Sequence, residues 1–154
     1  MNTVLARDMD ESEFFDFFKP SEAINSKMNK FIQDTGFDSP IGMHIRRTDH
    51  MNIIKESPSY LFTDKIEELL SENPHAKIFL ACDDNDLKQS IVSKYGDNIL
   101  TREINPRFSD NGIEDSVVDL FLLSKCKMIY GTRSHFCNLA GKIGHIQVEQ
   151  LAKL

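Results

Sequence analysis

The sequence predicts an α/β domain of about five parallel strands with helices on both faces, and three observations predict it. Apolar strand-like runs alternate with helix-like segments along the chain. The run Lys77-Ile78-Phe79-Leu80-Ala81-Cys82 is continuously apolar, as a strand covered on both faces must be. Helical stretches carry start and stop residues at the expected places, Ser21 and Gly36 for one and a closing Gly96 for another.

Taken in order, residues 1–20 form an acidic, Phe-rich piece in which Phe14, Phe15, Phe17 and Phe18 crowd together. That cluster is too apolar for a free tail and calls for cover. Pro20-Ser21 opens a helix whose Ile24, Met28, Phe31 and Ile32 make one stripe. A strand over 41–46 alternates, with Ile41, Met43 and Ile45 on one face and Gly42, His44 and Arg46 on the other. A polar loop from Thr48 to Pro58 leads to a helix over 59–72 that buries Leu61, Ile66, Leu69 and Leu70. The apolar strand 77–82 ends at Asp83-Asp84-Asn85, and a helix runs from Asp86 to Tyr95. A short strand over 98–101 precedes a polar loop, 102–112, and a helix over 113–124. Strand 127–130, the turn Gly131-Thr132-Arg133-Ser134, a helix over 135–142 and a strand over 146–148 complete the chain. No repeat or inter-domain linker interrupts this order.

Composition narrows the function classes. The 154 residues fit one domain with a sizeable core. No apolar run approaches the ~20 residues that span a membrane. Glu11, Glu13 and Asp16 exclude a secretory or basic transit signal in this stretch. A net charge of -6 argues against a broad basic nucleic-acid surface but leaves room for a local phosphate site. Cys82, Cys126 and Cys137 are odd in number and lack zinc spacing, so reduced thiols and a cytoplasmic location are expected.

The polar residues of interest gather at or near C-terminal strand ends, where open α/β sheets bind ligands. Arg46 and Arg47 could hold phosphate through paired hydrogen bonds, or be a solvated surface pair. Asp83 and Asp84 could cap the next helix or accept from a ribose or base edge. Asp119, ringed by Val117, Val118, Leu120, Phe121, Leu122 and Leu123, reads as a buried carboxylate at the ligand rim, with an exposed face shared with Asp115 as the alternative. Thr132 and Ser134 offer hydroxyls at a helix N-terminus and Arg133 adds charge, which suits a diphosphate; plain N-capping by Ser134 is the other reading. His44 as a lone strand residue is more often a core histidine than a ligand group. No G-x-G-x-x-G or P-loop is present.

Four blocks carry a resemblance: His44-Ile45-Arg46-Arg47-Thr48-Asp49, Phe79-Leu80-Ala81-Cys82-Asp83-Asp84, Val118-Asp119-Leu120-Phe121-Leu122-Leu123-Ser124 and Gly131-Thr132-Arg133-Ser134. Over about residues 40–145 the chain resembles GDP-fucose-dependent fucosyltransferases, above all the α-1,6 branch with its core and nodulation-factor enzymes and related bacterial α-1,2-like enzymes. The resemblance implies a Rossmann-like three-layer sandwich, the donor-binding C-terminal half of a GT-B-like architecture. By it, His44 and Arg46 contact the GDP diphosphate, Arg47 supports the site and Asp49 anchors the following loop. Asp83 and Asp119 meet the ribose or guanine, with Asp84 beside them, while Thr132 and Ser134, flanked by Arg133, hold phosphates. The family needs no metal, so arginines take the place of Mg²⁺ at the leaving GDP. Arg46 and Glu56 are the catalytic candidates, Glu56 as the base.

Two departures stand out. His135 takes the place of a second serine, and the stretch after Asp49 does not align cleanly. Residues 1–36 are expected to be a helical segment packing on the domain or a partner, and 37–154 the donor-binding domain. Too few residues precede the arginine motif for an acceptor-binding half, so donor binding without efficient transfer is expected. The implied partners are a nucleotide sugar, a glycan acceptor in a complete enzyme, and either further copies or a separate acceptor-domain chain. The rival readings are a non-catalytic nucleotide-binding or interaction module derived from such an enzyme, and an unrelated phosphate-binding α/β protein.

Overall fold

A computed structural model describes residues 11–47, 51–103 and 110–153. Its centre is one sheet of five parallel strands: β1 (Ile41–Ile45), β2 (Ile78–Cys82), β3 (Ile99–Thr101), β4 (Met128–Gly131) and β5 (Val148–Gln150), in the order β3-β2-β1-β4-β5. The helices are α1 (Glu11–Phe15), α2 (Glu22–Thr35), α3 (Met51–Glu56), α4 (Ser59–Glu72), α5 (Asn85–Tyr95), α6 (Asp110–Leu123) and α7 (His135–Gly144). Among the described residues no helix is long and apolar enough to cross a membrane.

Strand alternation divides the core into two layers. Met43, Ile45, Ile78, Leu80 and Cys82 face Phe62, Ile66 and Leu69 of α4 and Ile91 of α5. Phe79, Ala81 and Ile129 face the other way, onto Ile24 and Met28 of α2, Val118, Leu122 and Leu123 of α6, and Cys137 and Ala140 of α7. Gly42 belongs to this second face: a Cβ there would stand 3.1 Å from Cys126 Sγ and from a Leu123 methyl, so glycine lets α6 approach the sheet.

Caps fix the helices that the sequence announces. Ser21 Oγ accepts from Ile24 N–H and opens α2, and Gly36, at φ 64°, closes it in the left-handed conformation that glycine adopts without strain. Three boundaries differ from expectation. Residues 51–56, expected as loop, form α3, which buries none of its residues and so has no apolar stripe to announce it. Helix α6 begins at Asp110, because the Asn111-Gly112 pair that reads as a turn lies inside its first turn. Strand β5 begins at Val148, since Ile146 N–H still bonds back to Gly141 O and His145 caps α7 at φ 53°. At the N-terminus α1 lies on α7: Lys142 Nζ sits 5.4 Å from the Phe15 ring centre and His145 Nε2 is 2.6 Å from Asp16 Oδ1. Phe14, Phe17 and Phe18 stay exposed.

Candidate functional site

Strand order locates the site. From β1 the chain goes to β2 on one side, while β4 lies on the other and is reached only after α6 crosses the opposite face. The C-terminal ends of β1 and β4 therefore flank the switch point of the sheet, where open α/β sheets form their ligand crevice. Register makes the ends level: His44 pairs with Ala81 on β2 and with Gly131 on β4. The residues that follow, Arg46, Asp83 and Thr132, emerge at one rim.

At the crevice His44 is buried between β4 and α7. Its carbonyl accepts from Thr132 N–H at 3.0 Å, and its ring stacks on Phe136, centroids 4.8 Å apart. Ser134 Oγ lies 3.5 Å from His44 Nδ1 and also accepts from Cys137 N–H, capping α7. The α7 N-terminus, with its unpaired amides and positive dipole end, thus opens beside His44. Thr132 Oγ1 is buried without a hydrogen-bond partner among the described residues, as is Ser57 Oγ.

Burial lowers the His44 pKa from 6.5 to about 4; Asp83 opposes the shift and Arg46 adds to it. The imidazole is therefore neutral at physiological pH. The unfolded chain takes up a proton at this residue below pH 6.5 that the native state refuses, so the His44 contribution to stability is complete above 6.5 and lost as pH falls toward 4, at about 1.4 kcal/mol per unit. Proton NMR should show the His44 ring unprotonated at pH 6. Titration near its ordinary value would contradict this burial.

The two arginines part company. Arg47 turns into the α4 layer: its Nε donates to Ser59 Oγ, its terminal nitrogens to Arg46 O and Ser57 O at 3.1 and 2.7 Å, and its guanidinium lies 5.8 Å from the Phe62 ring centre. Its main-chain N–H donates to Asp83 Oδ1 at 2.6 Å, joining the ends of β1 and β2. Arg47 therefore braces the rim. Arg46, half-buried, lies close enough to His44 to weigh on its protonation.

Asp84 is the N-cap of α5, its carboxylate accepting from Leu87 N–H. Arg133 is exposed, and so is Glu56, whose carbonyl accepts from Lys153 N–H at 2.7 Å. Asp49 lies outside the described residues. The three thiols are buried, which pushes Cys82 up to about 11 and Cys126 and Cys137 to about 12.

Asp119 is buried, and the residues that hold it escaped the sequence reading. Arg102, directly after β3, donates from one nitrogen to Asp119 Oδ1 (3.1 Å) and Asp115 O (3.2 Å), and from the other to Asp115 Oδ1 (3.1 Å). Lys88 of α5 donates to Arg102 O at 2.6 Å. Burial raises the Asp119 pKa to about 6 against the pull of Arg102 and Lys88, and lowers that of Lys88. The one signal in the sequence was a lysine among Leu87, Ile91 and Val92, where an amphipathic helix faces the core.

Residues 12–151 match the family model described as alpha-(1,6)-fucosyltransferase N- and catalytic domains. Among solved structures, the chain is similar to the selenomethionine form of the fucosyltransferase NodZ from Bradyrhizobium (TM-score 0.65, 18% identity, 87% of this chain and 46% of that one). It is also similar to POFUT1 in complex with GDP (0.62, 14%, 91% and 49%) and to NodZ alpha-1,6-fucosyltransferase soaked with GDP-fucose (0.56, 18%, 81% and 43%). The chain thus spans less than half the length of each. These likenesses show the shared fold. No curated protein matches the sequence.

Proposed function

The chain belongs to the alpha-(1,6)-fucosyltransferase family, and from that premise we propose that it is a donor-binding domain that takes GDP-fucose or a similar nucleotide sugar for transfer to a glycan hydroxyl. One observation carries the reading. At the switch-point crevice a Ser134-capped helix N-terminus, the neutral His44 and the Arg46 position meet at level strand ends. That arrangement suits a diphosphate: amides and a guanidinium donate to its oxygens, and an uncharged imidazole adds a neutral contact. The GDP and GDP-fucose complexes of the structural neighbours support the same reading.

In transfer, a base removes the acceptor O–H proton as the oxygen attacks the anomeric carbon from the face opposite the nucleotide. The bond from that carbon to the β-phosphate oxygen breaks, and GDP leaves with the electron pair. Arg46 stabilises the negative charge on the departing diphosphate, and Glu56 is the candidate base. Asp83 and Asp119 lie toward the ribose and base.

Binding in this account needs no divalent cation, because fixed positive groups neutralise the diphosphate. GDP is expected to bind at micromolar to millimolar strength by calorimetry, equally with Mg²⁺ and with a chelator. A strict Mg²⁺ requirement would contradict it.

A further inference from the structure

We propose that Arg102 is a positioning residue for the nucleoside end of the site, holding Asp119 of α6 so that its second carboxylate oxygen is left for the ligand; the proposal rests on the donor-binding reading above. Asp115 and Asp119 stand one helical turn apart, and a single planar guanidinium bonds both at 3.1 Å. It thereby fixes two rotamers and draws α6 over the end of β3. Lys88 Nζ on the Arg102 carbonyl ties in α5, so three elements meet at this group.

Two features point to a ligand rather than to stability. Asp119 is only 4% exposed, yet its hydrogen bond uses Oδ1 alone, and no described residue donates to Oδ2. Oδ2 is not sealed in: the fully buried side-chain atoms without a partner among the described residues are Ser57 Oγ and Thr132 Oγ1. A buried ion cluster is moreover a poor stabiliser, since apolar residues of the same shape serve as well or better. At the C-terminal rim, a carboxylate oxygen with an opening suits the N–H donors of a nucleobase or the hydroxyls of a ribose.

Charge decides when that oxygen is a carboxylate. The groups facing Asp119 are Arg102, Lys88 and Asp115. The charge that α2 brings to α6, Lys27, goes to Glu114 at 3.0 Å. Arg102 offsets both burial and the like charge of Asp115. Without it Asp119 holds its proton to higher pH and loses its fixed rotamer.

GDP is the probe, titrated by calorimetry into the full chain between about pH 5 and about pH 8, with wild type, Arg102→Met, Arg102→Lys and Asp119→Asn compared. The terminal phosphate of GDP titrates in this range too, so its contribution, common to all four, is subtracted from each profile before the Asp119 transition is read. Wild-type affinity should fall as pH drops through the Asp119 transition near 6. Arg102→Met should bind about tenfold more weakly near neutral pH and move that transition up by about one pH unit, with Arg102→Lys recovering part of both. Asp119→Asn should bind weakly and lack the transition. Arg102→Met with wild-type affinity, or weaker but with the transition unmoved, would overturn the proposal. Should Arg102→Met fail to fold, a wild-type transition retained by Asp119→Asn overturns it equally. A wild type that binds no GDP overturns the donor reading itself, before any variant is compared.

Discussion

Arg46→Ala is expected to weaken GDP binding by ~2–4 kcal/mol, between one and three factors of ten in Kd, since it removes a charge-assisted, paired hydrogen bond to phosphate in a sheltered crevice. Arg46→Lys should recover only part, because an ammonium keeps the charge but not the planar fork. The contrast with the next residue sharpens the test. Arg47 is engaged with Ser57, Ser59 and the Arg46 carbonyl, so Arg47→Ala should lower stability as well as binding. Calorimetry for affinity and thermal unfolding for stability separate the two. If Arg46→Ala and Arg46→Lys both bind GDP like wild type, Arg46 is a surface charge and the crevice is not the diphosphate site.

Phe79→Ala should cost ~3–5 kcal/mol of folding stability, a large share of the ~5–15 kcal/mol of a typical domain. Phe79 is fully buried at the middle of β2. Its ring stands 5.7 Å from those of both Phe31 and Phe37, all three edge to face. This trio fastens α2 to the sheet, so truncation leaves a cavity and releases the helix that supplies Ile24 and Met28. Urea unfolding measures the loss. A midpoint within error of wild type would show that α2 is held by other contacts.

How much of this was legible in the sequence depended on whether a feature was local. Helix α4 over 59–72 was readable because Pro58 and a regular apolar stripe mark it, and α2 because Ser21 and Gly36 bracket it. The run 78–82 could be little else than a central strand. Helix α3 was not readable: six residues without a buried side chain leave no periodic trace, and so short a helix depends on its setting more than on its sequence. At the site, the gathering of His44, Thr132 and Ser134 followed from strand ends and a helix start. The divergence of Arg46 and Arg47 was implicit in strand alternation, which already placed Arg46 on the face of His44. The brace on Asp119 was hidden, because Arg102 lies 17 residues upstream and Lys88 arrives from another helix. Such pairings depend on tertiary packing, which no spacing rule reaches.

The central claim, a crevice built for a guanosine diphosphate, is tested most directly by titrating the wild-type chain with GDP and UDP side by side in a chelator. Guanine presents an adjacent N–H and NH₂ to a carboxylate-bearing rim, whereas uracil offers a single N–H there. The two share ribose and diphosphate, so the difference isolates the base. Saturable, metal-independent binding of GDP is expected, with UDP at least about tenfold weaker, as the loss of one charge-assisted hydrogen bond requires. GDP and UDP binding equally weakly, or neither binding at all, would contradict it.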